Sequence, residues 1–200
     1  MGRRSDHSRD ELRRMALDAA KKLLIKQGLR GLSTRRIAAR IGYSAGTLYQ
    51  LFDYFDDLIL HVNAATLDGL SEACLGVDFT AGPEAALQDL ASRYIEYVGR
   101  NPGLWNAMFE HSLSGGRKAP EWFVERTQRL LDLGEKAIEP LFGPGEEKLR
   151  RHEANVLWAS LYGIAALAAA QKLPANESPQ QMVQSLIRNS AAGLRARKMN

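Results

Sequence analysis

The sequence lacks the features of secreted and membrane-spanning proteins. It contains one cysteine, Cys74, among 200 residues, so it cannot form an internal disulfide and nothing requires an oxidising compartment. Its first residues, MGRRSDHSRDELRR, are polar and charged and hold no apolar segment typical of a secretory signal. The most apolar run, LWASLYGIAALAAA at residues 157–170, is too short to span a bilayer. We expect a cytoplasmic protein that does not contact a membrane.

The sequence also lacks the motifs that carry common enzyme chemistry. It has no G-x-S-x-G nucleophile motif, no phosphate-binding loop, no H-E-x-x-H zinc motif and no cluster of cysteine and histidine. The four histidines are scattered along the chain, at positions 7, 61, 111 and 152, and predict no metal site. We therefore expect no enzyme activity, no cofactor and no bound metal.

Alternation of apolar and polar residues is absent, and β-branched residues are sparse, so strands are not expected. Apolar residues instead recur every three or four positions, which predicts an all-α fold of about nine helices. Turn residues separate the predicted helices, which span about 9–27, 34–41, 45–52, 55–72, 83–100, 102–113, 121–141, 146–173 and 180–197. Three of them form an N-terminal domain of residues 1–54, and the others form a second domain of residues 55–200.

Charge is distributed unevenly between these two parts. Residues 1–52 carry 12 Lys/Arg against 4 Asp/Glu, whereas residues 53–200 carry 15 Lys/Arg against 19 Asp/Glu. A basic N-terminal part favours contact with a polyanion, while the acidic remainder indicates a different role. A solvated basic helix face that binds nothing is the alternative explanation of the same charges.

Residues 33–52 read STRRIAARIGYSAGTLYQLF and predict two short helices joined by a turn at Gly42. A longer helix precedes them, with a capping-box pattern at Ser8 and Glu11. Three helices in this order are typical of a helix-turn-helix domain. A three-helix bundle without a DNA-binding role is the alternative. The apolar residues expected in the shared core are Ile37, Ala38, Ile41, Leu48, Leu51 and Phe52.

The outward face of the third helix is small, polar and aromatic, with few charges. Such a face suits a helix placed in the major groove, where hydroxyl groups reach phosphates and small side chains permit close approach to base edges. The residues on this face are Tyr43, Ser44, Ala45, Gly46, Thr47, Tyr49 and Gln50. Burial of Tyr49 in the core remains an alternative for that residue.

This stretch closely resembles the DNA-binding region of the TetR family of transcriptional regulators. The matching residues are Thr34, Ile37, Ala38, Gly42, Ser44, Gly46, Thr47, Leu48, Tyr49 and Phe52. The resemblance covers residues 9–62, and the remainder is similar only in the number and length of its helices. It implies a dimer that binds double-stranded operator DNA through its third helices. It also implies a helical C-terminal domain that binds a small-molecule effector.

The resemblance also assigns roles to individual residues. Thr34, Thr47 and Tyr49 correspond to positions that contact phosphates, and Arg35 corresponds to one that reaches a base or a phosphate. Tyr43, Ala45, Gly46 and Gln50 correspond to the face that reads bases. Most family members have a lysine three residues after the position of Phe52, and this sequence has Phe55 there.

The segment DYFDD at residues 53–57 therefore departs from the family pattern. Asp53 is interpreted as a helix cap, and Asp56 and Asp57 as acidic residues that complement the dipole of the fourth helix. Phe55 is interpreted as filling a gap between the two domains. Alternatively its presence marks weakened DNA binding that depends on Arg3, Arg4 and Arg9. Phe55→Lys is then predicted to raise operator affinity and to steepen its salt dependence.

Aromatic residues and methionines are concentrated in the C-terminal region. At helical spacing they are most often core residues, but apolar pockets are built from the same residue types. The predicted ligand-binding residues are Trp105, Met108, Phe109, Trp122, Phe123, Trp158 and Tyr162, with Glu110 and His111 as polar groups beside them. The run around Trp158 is similar to the W-x-x-x-H-G signature of one class in the family, with Tyr162 in place of the histidine.

The last two helices are predicted to form the homodimer interface. Residues 163–170 are rich in alanine, which permits close helix packing, and Met182, Leu186, Ile187 and Leu194 form a stripe on the final helix. Two such helices from each subunit would build a four-helix bundle on a two-fold axis. Packing of the same stripe within one chain is the alternative.

Together these observations predict a DNA-binding transcriptional regulator, most simply a repressor that releases its operator when a small apolar molecule binds. Two other functions fit the same residues. One is a regulator with weakened operator binding that acts through a protein partner. The other is a DNA-binding protein that responds to no ligand.

Overall fold

The computed structural model describes residues 7–197 of the chain. Within that range the fold is all-α, with nine α-helices and four short 3-10 segments, which confirms the predicted fold class. No helix in this part of the chain is long and apolar enough to cross a membrane. The helices are α1 (Arg9–Gln27), α2 (Thr34–Ile41), α3 (Ala45–Leu51), α4 (Phe55–Ala73), α5 (Pro83–Arg100), α6 (Pro102–Glu110), α7 (Glu121–Ile138), α8 (Glu147–Ala169) and α9 (Pro179–Arg197).

The chain forms two compact units. The first comprises the described residues up to Thr66 together with Gly103–Pro120, and the second comprises Leu67–Pro102 together with the described residues from Glu121 onward. The first unit thus contains the helix-turn-helix segment, the first part of α4 and nearly all of α6. The predicted functional division at residue 54 is a different boundary and stays a prediction.

The first helix begins and ends where its capping residues predict. The Ser8 side chain accepts a hydrogen bond from the Glu11 amide, and the Glu11 carboxylate accepts one from the Ser8 amide, which completes a capping box. Gly28 ends the helix, and its N–H donates to the Leu24 carbonyl. One face of α1 is apolar and buried, and the small residues along it allow α2 and α3 to approach closely. That face contains Ala16, Ala19, Ala20, Leu23 and Leu24.

The core of the first unit is continuous with this face of α1. Ile37 and Ala38 of α2 and Leu48 of α3 are at most 2% exposed. Further buried residues from α3, its C-cap Phe52, α4 and α6 contribute to it, namely Leu51, Phe52, Leu58, Ile59, Val62, Leu104 and Ala107. Burial of these residues fixes the orientation of α3, because its inward side is part of the core.

The second unit is organised around α5, which packs against α7, α8 and α9. Its buried residues include Leu87, Ala91, Ile95 and Val98, at the three- and four-residue spacing of one helix face. An ionic cluster joins α7 to α8, where the buried Glu135 accepts hydrogen bonds from Arg150 and Arg151. A buried carboxylate is tolerated at this position because two guanidinium groups pair with it.

Three predicted helix ends lie further along the chain than the observed ones. Helix α6 ends at Glu110, about three residues early, and α7 ends at Ile138, because Pro140 cannot continue the α-helical hydrogen bonding. Helix α8 ends at Ala169, and Gln171 adopts a positive φ of 55° shortly afterwards.

The predicted N-cap of α4 also differs from the observed one. Asp53 is exposed and lies two residues before α4 begins at Phe55, so the N-cap position falls on Tyr54 instead.

Part of the apolar stripe predicted for the dimer interface is buried inside the second unit. Ile187 is 3% exposed and Leu194 is 6% exposed, within a helix that packs against α5 and α8. Val183 and Ala191 share the same buried face. Packing within one chain therefore explains these positions. Met182 and Leu186 are half-buried.

Candidate nucleic-acid interface

The α2–α3 segment has the backbone of a helix-turn-helix. The Ser33 side chain caps α2 by accepting a hydrogen bond from the Arg36 amide. Gly42 ends α2 in the left-handed conformation, with φ 78° and ψ 23°, which disfavours other residues. The Tyr43 amide then donates to the Ala38 carbonyl, and the chain enters α3 after Ser44. Ile37 and Leu48, both buried, hold the two helices together.

The predicted DNA-contacting residues lie on the outer side of this segment. Tyr49 is 61% exposed, so the alternative that it is a core residue is wrong. Arg35, Ser44, Gly46 and Gln50 are also exposed. The remaining predicted residues are half-buried, namely Thr34, Tyr43, Ala45 and Thr47. One exposed surface thus combines hydroxyl, amide, guanidinium and aromatic groups, although their contacts with DNA stay a prediction.

Within this surface the N-terminal turn of α3 is small and open. The hydroxyl oxygens of Ser44 and Thr47 lie 3.2 Å apart, within hydrogen-bonding distance. A methyl group added to Gly46 would have the Ser44 Oγ at 3.6 Å as its nearest neighbour outside the adjacent backbone. The glycine is therefore not required by packing inside the protein. The absence of a side chain instead leaves room for close approach by another molecule.

Two arginines from α1 hold the C-terminal end of α3. Arg9 donates to the Gln50 carbonyl at 3.2 Å, and Arg13 donates to the Leu51 carbonyl at 2.6 Å. These carbonyls belong to the last turn of a helix, which lacks partners within the helix. Arg9 is predicted from the sequence as a residue on which DNA binding depends, whereas no prediction concerns Arg13. Arg3 and Arg4 lie outside the described residues.

The first turn of α4 contains a buried carboxylate whose predicted role is only to complement the helix dipole. Asp56 is 8% exposed and accepts hydrogen bonds from the Ser114 amide at 3.0 Å and from Arg117 at 2.7 Å, with His111 Nε2 at 3.2 Å. Burial would raise the pKa of Asp56, but these hydrogen bonds outweigh burial and hold its pKa well below the usual range. Asp56 therefore anchors the segment that follows α6.

Arg117 also contacts the segment that links α3 to α4. Its guanidinium lies 4.0 Å from the centre of the Tyr54 ring while it pairs with Asp56. No local sequence signal identifies these contacts, because the partners are separated by more than fifty residues. His111, predicted as a polar group beside a ligand, is instead paired with Asp56.

Phe55 is half-buried and packs against the core of the first unit. It lies beside α4 residues that are fully buried, such as Leu58 and Ile59. Its side chain therefore has a packing role within this unit. Whether its presence instead of lysine weakens DNA binding stays a prediction.

Six of the seven predicted ligand-binding residues occur in ring pairs. Trp105 and Phe109 lie 4.8 Å apart between ring centres in the first unit, where Trp105 is 2% exposed and Met108 is half-buried. In the second unit, Trp122 meets Phe123 edge-on at 5.9 Å, and Trp158 stacks on Tyr162 at 5.9 Å. Their assignment to a ligand site stays a prediction.

A surface pocket of about 440 Å³ occurs in the second unit, beside the start of α5 and one side of α9. It contains none of the predicted ligand-binding residues. Its lining mixes small apolar residues of the segment that leads into α5 with polar side chains, and Glu84 there forms an ion pair with Arg195 at 2.9 Å. The other polar lining residues are Gln88, Gln184 and Arg188.

Solved structures similar to this chain share its fold. A protein of unknown function from Rhodococcus sp. RHA1 is 23% identical, with a TM-score of 0.73 over 96% of this chain and 98% of that one. A TetR-like transcriptional regulator from the same organism is 20% identical, with a TM-score of 0.65 over 94% and 99%. A TetR-family regulator from Streptomyces coelicolor is 17% identical, with a TM-score of 0.67 over 99% and 83%.

Comparison with protein families identifies both parts of the chain. No curated protein matches the sequence significantly. The family model described as bacterial regulatory proteins, tetR family, matches residues 16–62 and includes the whole helix-turn-helix. The model described as tetracyclin repressor-like, C-terminal domain, matches residues 87–190, which is more than half of the chain. The protein belongs to the TetR family of bacterial transcriptional regulators.

Proposed function

We propose that this protein is a homodimeric repressor that binds operator DNA through α3 and releases it when a small apolar molecule binds the C-terminal domain. The observation that carries the proposal is the exposed outer face of α3. Tyr49, Gly46 and Gln50 lie on it, while its inner face is held in the core by Leu48 and Leu51. Such a helix presents a rigid surface to the major groove.

Dimerisation is supported by the outer face of α8. Val156 is 46% exposed and Leu167 is 42% exposed, and both are large apolar residues. Ala159 and Gly163 lie between them at helical spacing and would permit close packing of a second helix. A two-fold dimer would present two copies of α3 to half-sites about one DNA turn apart.

The effector site is proposed among the aromatic residues predicted from the sequence. Within the second unit, the stacked Trp158 and Tyr162 supply large apolar surfaces with one hydrogen-bonding group each, a combination typical of ligand pockets. A ligand that prefers a different separation of the two DNA-binding regions would shift the dimer away from the operator-binding state. Release then requires only a difference in affinity between the two states.

The first test is operator binding. The wild-type protein would be titrated into fluorescent DNA from the region flanking its own gene, at several salt concentrations, with scrambled DNA as the control. Sequence-dependent binding whose affinity falls steeply with salt is expected, because phosphate contacts release counterions. Equal affinity for both duplexes would contradict the proposal for that operator. Apolar compounds would then be screened for release of the bound DNA.

Phe55 favours a second candidate, a regulator with weakened operator binding that acts through a protein partner. Phe55→Lys tests this candidate. A lysine at the start of α4 is expected to add one phosphate contact and to steepen the salt dependence by about one unit. Because Phe55 packs against the core, the variant is also expected to lose stability, which thermal unfolding would measure. Equal affinity of the two proteins at all salt concentrations would argue against a missing contact.

A further inference from the structure

The C-terminal end of α3 is held from outside the helix. With seven residues, α3 has few carbonyls bonded within the helix. Arg13, on α1 and half-buried, donates one guanidinium nitrogen to the Leu51 carbonyl at 2.6 Å, and its guanidinium lies 4.5 Å from the centre of the Phe52 ring. A cation at this end also interacts favourably with the helix dipole. Arg13 therefore fixes the last residue of the helix proposed to read DNA.

The second terminal nitrogen of Arg13 lies 2.5 Å from Nε2 of His61 on α4. Arginine has donors only and stays charged, so this contact requires His61 to accept through an unprotonated Nε2. Neutral His61 thus holds the guanidinium in the position from which it reaches Leu51. One guanidinium group thus donates to two acceptors, the Leu51 carbonyl and His61, and the single ammonium group of lysine does not reproduce this geometry.

Protonation would remove that acceptor and place two positive charges in contact. The Asp57 carboxylate lies 3.5 Å from the same Nε2, one helical turn away, and offers protonated His61 an alternative partner. Charged groups face His61 from two helices, Arg13 from α1 and Asp57 from α4. The Phe52 ring, 6.2 Å away between ring centres, is uncharged. Neutral His61 can therefore accept from Arg13, whereas protonated His61 can pair with Asp57.

We propose that Arg13 is a positioning residue for α3 and that it holds this helix only while His61 is uncharged, so that operator affinity falls on acidification. The inference rests on the proposed DNA binding and adds a proton-sensitive control to it. Most DNA-binding surfaces gain affinity at lower pH, because protonation adds positive charge. A loss of affinity in the same range therefore distinguishes this contact from general electrostatics.

The test measures operator affinity as a function of pH. Wild-type protein first selects its operator from random duplexes, and fluorescence anisotropy then gives the affinity from about pH 8 to about pH 5.5, the range in which histidine titrates. Ionic strength is held constant, and a scrambled duplex reports non-specific binding. Specific affinity is expected to fall about tenfold across this range, the scale of one hydrogen bond to a charged group.

Two variants assign the effect to the proposed contact. His61→Gln keeps an acceptor for Arg13 but does not titrate, so near wild-type affinity at high pH and no fall of affinity on acidification are expected. Arg13→Lys keeps the charge but lacks the guanidinium fork, so lower affinity at high pH and no further fall on acidification are expected. His111→Gln is the comparator, because His111 is paired with the neighbouring Asp56, and it should keep the wild-type pH profile.

The outcomes distinguish failure of the proposed DNA binding from failure of the proposed pH dependence. If no operator is selected at high pH, the proposed DNA binding fails. If an operator is bound but affinity does not fall with acidification, or falls equally in His61→Gln, the inference is wrong. Should His61→Gln fold poorly, NMR of the wild type replaces it. The carbonyl carbon of Leu51 must then shift with the same midpoint as the His61 ring, and independent midpoints would overturn the inference.

Discussion

At the scale of single residues, substitution of Gly46 is expected to affect the stability of the fold and DNA binding in opposite directions. Space is available for a methyl group at this position, and its φ is not positive. Alanine also favours helix formation over glycine by up to about 1 kcal/mol. Gly46→Ala is therefore expected to leave the free energy of unfolding unchanged or to raise it slightly.

Operator binding should respond to the same change in the opposite direction. A methyl group on the exposed face of α3 would prevent close approach to a base edge or a phosphate, and affinity is expected to fall at least about tenfold. Urea unfolding and fluorescence anisotropy on one preparation measure both effects. Gly134→Ala is the matched control, since a methyl group there also meets nothing within 4 Å but lies on α7. Full operator affinity in Gly46→Ala would remove Gly46 from the proposed interface.

Asp56 makes a stability prediction with a defined sign. Its folded-state pKa is depressed, so its contribution to stability is fully present above the unfolded pKa of about 4 and is lost as the pH falls below that value. Asp56→Asn is expected to lower the free energy of unfolding at neutral pH by about 2 kcal/mol, because charged hydrogen bonds to Ser114 and Arg117 are lost.

The deficit of Asp56→Asn should shrink as the solution becomes more acidic. Below pH 4 the wild type loses about 1.4 kcal/mol of this contribution per pH unit, while the variant has no carboxylate to protonate. Urea unfolding at pH 7 and at about pH 3 tests this. Asp53→Asn is the control, because Asp53 is exposed in the same segment. A deficit independent of pH would mean that the charge of Asp56 does not stabilise the fold.

The sequence predicts the outer residues of α3 and does not predict the contacts of Asp56. The outer residues of α3 follow from a local pattern, because Gly42, the capping residues and the apolar spacing determine which side of the helix is exposed. The contacts of Asp56 depend on His111, Ser114 and Arg117, which reach Asp56 only after the chain has folded back. A carboxylate in the first turn of a helix is locally explained by the dipole alone, so its burial leaves no local signal.

At the scale of helices, the contact between α1 and α6 depends on a glycine. A methyl group on Gly103 would lie 3.1 Å from the Ile25 Cα and 3.3 Å from its carbonyl oxygen. These are backbone atoms, which retreat less easily than a side chain. Gly103→Ala is expected to lower the free energy of unfolding by about 1–3 kcal/mol, the cost of forcing one carbon into a packed region.

Gly99→Ala is the control for this helix contact. Gly99 lies near the end of α5 with no atom within 4 Å of an added methyl group, so the exchange should be neutral or mildly stabilising. Thermal and urea unfolding of the two variants compare them directly. Equal stability of the two variants would show that α1 and α6 separate without cost.

Most helix spans could be predicted because caps and periodicity act locally. Ser8, Gly28, Pro83 and Gly42 mark their helix ends correctly. The errors occur at α6, α7 and α8, where the apolar pattern continues beyond the last α-helical hydrogen bond. A short 3-10 segment or a turn preserves much of that pattern without continuing the α-helix, so periodicity alone overestimates the length.

At the scale of the whole molecule, the sequence predicts two amphipathic final helices but not which of their faces is buried within the chain. Helix α9 has Ile187 and Leu194 on its buried side, and both were assigned to the dimer interface. Alanine-rich helices have several small apolar faces, so spacing does not distinguish packing within a chain from packing between chains. The large apolar residues that stay exposed on α8 are Val156 and Leu167.

These two residues carry the dimer prediction. Changing Val156 and Leu167 together to glutamate is expected to raise the dimer dissociation constant by about two orders of magnitude, because each buried charge occurs twice across a two-fold interface. Val124→Glu is the matched control, since Val124 is 52% exposed on α7. Sedimentation equilibrium measures the association, and circular dichroism checks that each variant stays helical.

Operator affinity should fall with the dimer fraction, because two linked copies of α3 bind two half-sites with a gain in effective concentration. A double variant that remains dimeric, or a control that dissociates equally, would place the interface on a different face of the second unit.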